Sequence, residues 1–307
     1  MIHKDRSQLL VVGPATFMNS PAARSLRRLN VDIVYVEDIT IDFLLKGADP
    51  EVAIVYSDRP DARMSAAISE LQCWSSTIRV VVITRELPPE WPTASSQVDL
   101  DLEMATRELV PLIRFLLVLS RSRFPKPAGA VQLGSGYGRV EPGVHIAYLG
   151  AHPGDWQFPA QFIAATEAHE AALILGPTSK NKALLTKLKL MVPEADRPIR
   201  EGTISAVSAN NMDITTLTAI LQKIIAARDV GSSIVRILTT CGDSSVDHAS
   251  GQVRLAERLW TRVCSEIPAV LVCAFGVAPP QGFDCAIKTH PFVIMGERLI
   301  RNPLCIF

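Results

Sequence analysis

Apolar residues fall in short continuous runs along this chain, and the stretches between the runs carry a helical period. "QLLVVGP" (8–14) is an apolar run closed by Gly13-Pro14. "SPAARSLRRLN" follows, with Ser20 placed as an N-cap, Pro21 at the first helical position, and Leu26 and Leu29 on one face. "VDIVYVED" (31–38), "EVAIVYSD" (51–58) and "IRVVVITRE" (78–86) read as three further strands with helix-like segments between them. "TRELVPLIRFLLVLSRSR" then makes a strongly apolar closing helix despite Pro111. Continuous apolar runs alternating with helices predict a parallel sheet covered on both faces.

"FPKPAGAVQLGSGYGRVEPG" (124–143) breaks the pattern, being rich in Gly, Pro and Ser and without sustained periodicity. It reads as a linker or an exposed loop. A second alternating series follows. Strands are predicted at 144–149, "AALILGP", "GTISAVSA", "SIVRILTTC", "AVLVCAFG" and "PFVIMG", and helices near 157–168, "NKALLTKLKLM", "TTLTAILQKIIAARD" and "VRLAERLWTRVC". The expected fold class is α/β. Two three-layer α/β/α domains with mainly parallel sheets occupy 1–124 and 144–307, with a linker at 125–143.

Composition narrows the function classes. The 307 residues are 48% hydrophobic, enough for two packed cores. Lys and Arg number 31 and so do Asp and Glu, so no global field draws in nucleic acid or an anionic membrane. The most apolar run, from Leu109, contains Arg114 and falls short of a membrane span, and the N-terminus lacks a secretory pattern. The six cysteines show no CxxC pair and no metal-ligand spacing, so spacing assigns no metal site and points to a reduced, cytoplasmic protein.

The first half resembles the receiver domain of response regulators in its strand–helix order, and departs from it where receivers do chemistry. The acidic pair that holds Mg²⁺ after the first strand is replaced by Gly13 and Pro14. Counting back from Pro60 in "YSDRP", the phosphoacceptor position is Tyr56, and Asp58 is the only acid nearby. Thr84 retains the hydroxyl that ends the fourth strand, while no lysine follows the fifth. Phosphoryl transfer to a carboxylate needs a metal and an acidic nucleophile. The resemblance therefore implies a flavodoxin-like pseudo-receiver that docks or dimerises, with Asp58 as the alternative, displaced phosphoacceptor. The apolar residues from Leu109 to Leu119 exceed one helix face and suggest a homodimer through that helix.

"HIAYLGAHPGDWQFPAQFIAA" (145–165) has the strand–turn–helix order of a phosphate-binding loop. Counting from Gly150, its lysine position is Trp156; aligned on Pro153-Gly154, it is Gln157. Neither supplies a cation. This half resembles a RecA/KaiC-like core. Its end, "PAVLVCAFGV" followed by "IKTHPFVIMGERLIRNPLC", is similar to the close of the MEDS sensory domain (methanogen/methylotroph, DcmR-type). The matching elements are Cys273 and Phe275, His290-Pro291, Asn302-Pro303, and Arg236 in "SIVRIL". The resemblance implies a degenerate RecA/KaiC-like domain that senses a small organic ligand.

His152, Gly154, Asp155, Trp156 and Gln157 stand where a ligand meets the C-terminal edge of an open α/β sheet. "GPTSKNK" (176–182) offers a second helix N-terminus, explained by ordinary capping, and "TTCGDSSVDH" (239–248) is a polar loop at a strand end. No catalytic set can be assembled from spacing. The expectation is a non-enzymatic signalling protein without a cofactor, whose partners are a second copy, a sensor kinase or regulator, or a small organic ligand. The competing expectation is an atypical nucleotide-binding module or hydrolase.

Overall fold

A computed structural model describes residues 7–39, 50–75, 77–85, 97–122, 129–150, 155–209, 213–229, 231–240, 251–275 and 286–305. The chain divides into two compact units, Met1–Ser122 and Arg123–Ile306. Each is an α/β unit built on a largely parallel sheet, as the alternating pattern predicts.

In the first unit, β1 (Gln8–Val12), β2 (Asp32–Val36), β3 (Val52–Tyr56), β4 (Arg79–Thr84) and β5 (Gln97–Asp101) pair in parallel in the order β2-β1-β3-β4-β5. This is the flavodoxin-like doubly wound order, with its switch point between β1 and β3. The described helices are α1 (Ala15–Met18), α2 (Pro21–Leu26), α3 (Ala62–Trp74) and α4 (Leu102–Arg121). Local chemistry starts them. Ser20 Oγ accepts from Ala23 N at 3.1 Å, Asp61 from Met64 N at 2.8 Å and Asp101 from Met104 N at 2.7 Å. Met64, Ile68 and Leu71 of α3 cover one sheet face, against Leu10, Val12, Ala53, Val55, Val80 and Val82. Helix α4 packs on β3, β4, β5 and α2.

Most of the apolar side chains of α4 are buried, while Val110 and Val118 stay half-buried. Leu109, Leu112, Ile113, Phe115, Leu116, Leu117 and Leu119 are all buried, and the exposed large apolar side chains are Leu190, Met295, Ile300 and Leu304.

In the second unit, β6 (Val131–Gly134) and β7 (Gly138–Val140) form an antiparallel hairpin inside the stretch expected to be a linker. That expectation is corrected over this stretch: Val131, Leu133 and Val140 belong to the core of the second unit. The main sheet has the order β10-β9-β11-β12-β8-β13-β14. Its strands are β8 (Val144–Leu149), β9 (Glu170–Gly176), β10 (Ile204–Ser208), β11 (Ile234–Thr239), β12 (Ala269–Phe275), β13 (Phe292–Met295) and β14 (Arg298–Arg301). Only β14 runs antiparallel to its neighbour.

Helices α5 (Gln157–Ala164) and α6 (Thr178–Met191) close one face, where Phe158, Phe162, Leu184 and Leu188 meet Ile146, Tyr148 and Val272. A short α7 (Asp196–Arg200) follows, then α8 (Ile214–Asp229) against β11 and α9 (Gly251–Glu266) against β8 and β12. Side chains alternate across a strand. Ile146 and Tyr148 therefore serve the α5/α6 layer, while His145 and Cys273 face α9. Among the described residues no helix is long and apolar enough to cross a membrane.

Candidate functional site

The first unit's switch point is closed by its own groups. Gly13 follows β1 with φ of +146°, and a Cβ there would lie 2.6 Å from the Tyr56 carbonyl oxygen. No side chain fits at the position where a receiver carries an acid. Gly13 N donates to Val36 O at 3.1 Å and its carbonyl accepts from Tyr35 Oη at 2.7 Å, which fixes the turn. Pro14 starts α1 beside it, and Thr84 is fully buried at the end of β4.

Tyr56 stacks on Phe17 at 4.5 Å between ring centroids, and its hydroxyl donates to Asp58 Oδ1 at 2.6 Å. Arg85 Nε lies 2.9 Å from the same carboxylate oxygen. The Tyr56 hydrogen bond and the Arg85 charge hold the Asp58 carboxyl below its usual range, while burial and Asp58 push the Tyr56 phenol up. Asp58 is therefore engaged by both Tyr56 and Arg85.

The C-terminal edge of the second unit shows the same economy. His152 and Gly154 lie outside the described residues, as does most of the 239–248 loop. Asp155 Oδ2 accepts from Tyr148 Oη at 2.8 Å, and Asp155 Oδ1 accepts from Gln157 N at 3.2 Å, at the start of α5. The Asp155 carboxylate thus stands at the N-terminal end of α5, where the helix favours negative charge. Burial and the Asp155 carboxylate raise the Tyr148 phenol. Trp156 is half-buried and packs on the core that holds Phe158, and Gln157 is exposed. On the neighbouring helix, Thr178 Oγ1 lies 2.9 Å from Ser208 Oγ, and Lys180 Nζ donates to Thr240 O at 3.1 Å.

The densest chemistry lies on the other face. His145 from β8, Cys273 from β12, Glu257 from α9 and His290 from the turn before β13 converge, and their ligand atoms all lie within 4.8 Å of one another. His145 Nε2 stands 3.1 Å from Cys273 Sγ and 3.5 Å from Glu257 Oε2, and His290 Nε2 stands 3.4 Å from Glu257 Oε2. Both histidines are 0% exposed and Cys273 is 4% exposed, which suits a ligand rather than a nucleophile for a dissolved substrate.

The outer ring nitrogens are committed. His290 Nδ1 lies 2.9 Å from Ala286 O and 2.9 Å from Thr289 Oγ1; the carbonyl only accepts, so it is served by the tautomer with its hydrogen on Nδ1. Thr261 Oγ1 donates to Glu257 O at 3.2 Å, leaving its lone pairs for His145 Nδ1 at 2.8 Å. With both rings in the Nδ1–H tautomer, both Nε2 lone pairs face the cluster. His290 Nε2 and Glu257 Oε2 are buried without a hydrogen-bond partner. Burial holds His145 well below its usual range, with His290 adding to it, lowers His290 to about 3 and pushes Glu257 up to about 8. Burial thus favours the uncharged forms of His145, His290 and Glu257, as an interior requires of groups lacking a counter-ion.

Phe275, His290, Pro291 and Asn302, singled out in the sequence, meet here. The Phe275 ring stands edge-on to His290 at 5.5 Å. Asn302 Nδ2 donates to His290 O at 2.7 Å and also to Ile287 O, while Asn302 N donates to Pro291 O at 2.9 Å. The Asn302-Pro303 segment thereby fixes the His290-Pro291 turn. Arg236 stands apart, in the opposite layer: its Nη1 donates to Gln132 O at 2.5 Å and to Phe162 O at 3.1 Å. His145 and Glu257 escape a reading by spacing, because four elements distant in sequence supply the cluster. The one hint is a lone imidazole inside the apolar strand 144–149.

No family model matches the chain, and no curated protein is significantly similar to it.

Proposed function

We propose that this chain is a regulatory protein that relays a signal by contact, without phosphoryl transfer at either switch point. The observation that carries the reading is Asp155: its carboxylate accepts from the first backbone N–H of α5 and from Tyr148, so the chain's own acid competes with any anion at that helix end. The first unit supports it independently, since Gly13 admits no acidic side chain and Asp58 is engaged by Tyr56 and Arg85. In this reading the first unit is a pseudo-receiver that docks on a partner or a second copy. The second is a degenerate RecA/KaiC-like, MEDS-like domain that senses a small organic ligand or binds a partner. A cytoplasmic setting suits the free thiols of Cys73, Cys264, Cys273 and Cys305.

Calorimetry of the full chain with ATP and Mg²⁺ tests the reading. No saturable heat is expected. Saturable binding that appears only in Asp155→Asn, where the internal carboxylate is gone, fits a competing carboxylate; saturable binding in the unaltered chain overturns the proposal.

A further inference from the structure

Three features invite a role beyond contact signalling: the cleft of about 400 Å³ lined by Ile163, Leu188, Val192, Arg197 and Ile204, the exposed Met295, Ile300 and Leu304, and the buried cluster. Nothing shows what would cover the apolar edge or fill the cleft. The cluster alone specifies its ligand by chemistry.

We propose that His145, Glu257, Cys273 and His290 bind one divalent first-row cation, with zinc the best match, at a closed site between the sheet and α9. Tetrahedral zinc with nitrogen, oxygen and sulfur ligands at about 2.0–2.3 Å places neighbouring ligand atoms about 3.3–3.8 Å apart. Of the six edges, His145–Glu257 at 3.5 Å and His290–Glu257 at 3.4 Å fall in that range, His145–Cys273 at 3.1 Å is slightly shorter, and all lie within 4.8 Å. The donor set is one thiol, one carboxyl and two imidazoles, a borderline-soft mixture suited to zinc and unsuited to calcium or magnesium.

Two further observations point to a ligand. His290 Nε2 and Glu257 Oε2 are aimed into the cluster and lack a hydrogen-bond partner. Buried polar atoms are rarely left so, and a cation supplies both with a partner at once. Each imidazole also has its Nδ1 engaged outside the cluster, at Thr261 Oγ1 and at Ala286 O, the arrangement that orients histidine ligands toward a metal through Nε2.

Charge closes the case. Coordination sends the Cys273 thiol proton and the Glu257 carboxyl proton to solvent. The thiolate and carboxylate then carry two negative charges, and a divalent cation cancels them, leaving no net charge in the core. With four protein ligands, the site is a closed, structural one. It joins β8, β12, α9 and the turn before β13, the elements bearing Cys273, Phe275 and His290. The proposal is independent of whether either unit handles phosphate.

Elemental analysis of the purified full chain, together with cobalt titration of chelator-treated protein, tests the site. One equivalent of zinc per chain is expected, and cobalt is expected to give tetrahedral visible bands with a thiolate-to-cobalt charge-transfer band. Cys273→Ser should lose the charge-transfer band, and Glu257→Gln should weaken cobalt binding. If these core variants fail to fold, zinc-edge X-ray absorption of the unaltered chain gives the answer: one sulfur, two imidazoles and one oxygen are expected. A folded chain that takes up neither metal overturns the proposal. So does uptake that is unchanged in Cys273→Ser, or a metal shell without sulfur.

Discussion

Arg236 Nε donates to Glu170 Oε2 at 2.6 Å, and the two side chains are 0% and 2% exposed. The pair lies between β11 and β9. From the same guanidinium, Nη1 reaches back to the carbonyl of Gln132 in β6 and to that of Phe162 in α5, with the charge 5.4 Å above the Phe162 ring. Arg236 therefore pins the β6–β7 hairpin to the main sheet. Glu170 is held in turn, since its Oε2 also accepts from Glu167 N at 2.9 Å.

Removing one partner of such a pair strands a buried charge. Arg236→Met is expected to destabilise the second unit by about 3–5 kcal/mol, and Arg236→Met with Glu170→Gln by clearly less. Urea unfolding followed by circular dichroism measures both. A loss below about 1 kcal/mol in the single variant contradicts the clamp.

At Gly13, any side chain meets a backbone carbonyl, which cannot yield as a flexible side chain does. Gly13→Ala is expected to cost about 1–3 kcal/mol, and Gly13→Asp should not create a Mg²⁺ site. Thermal unfolding with and without Mg²⁺ reads both effects. A magnesium-stabilised Gly13→Asp protein contradicts this account of the turn.

Tyr56 sets the acidity of Asp58. The folded carboxyl lies below its ordinary 3.8, chiefly through the Tyr56 hydrogen bond. A depressed acid contributes stability that is present above the unfolded pKa and is lost as pH falls through the folded value. Titration of the Asp58 side-chain carbon by NMR should place its midpoint below 3.8, and Tyr56→Phe should move it upward. An unmoved midpoint means that Arg85, not the phenol, controls the acid.

Thr261 is not among the proposed metal ligands, yet its Oγ1 lies 2.8 Å from His145 Nδ1 and so orients that ring. Thr261→Val is expected to weaken cobalt binding by about 10–100-fold while leaving the thiolate charge-transfer band in place. Unchanged affinity removes Thr261 from this positioning role.

The parallel sheets were legible because their strands are buried on both faces and read as apolar runs: Val52–Tyr56 and Arg79–Thr84 are buried at every position. Caps were legible where one side chain decides them, as at Ser20. The β6–β7 hairpin was not. Its strands are short, Gly134, Gly136 and Gly138 interrupt any alternation, and only packing against the core of the second unit shows that Val131 and Leu133 are interior. Cys273 and His290 stood out through a family resemblance, whereas His145 and Glu257 became visible only when β8 and α9 were brought together.

Phosphoryl transfer is the measurement that bears most directly on the central claim. Full-length protein incubated with Mg²⁺ and radiolabelled acetyl phosphate, and separately with ATP, is expected to carry no bound label and to release no phosphate above a heat-denatured control. Magnesium-dependent labelling that disappears in Asp58→Asn, or sustained ATP turnover by the unaltered chain, would contradict the account.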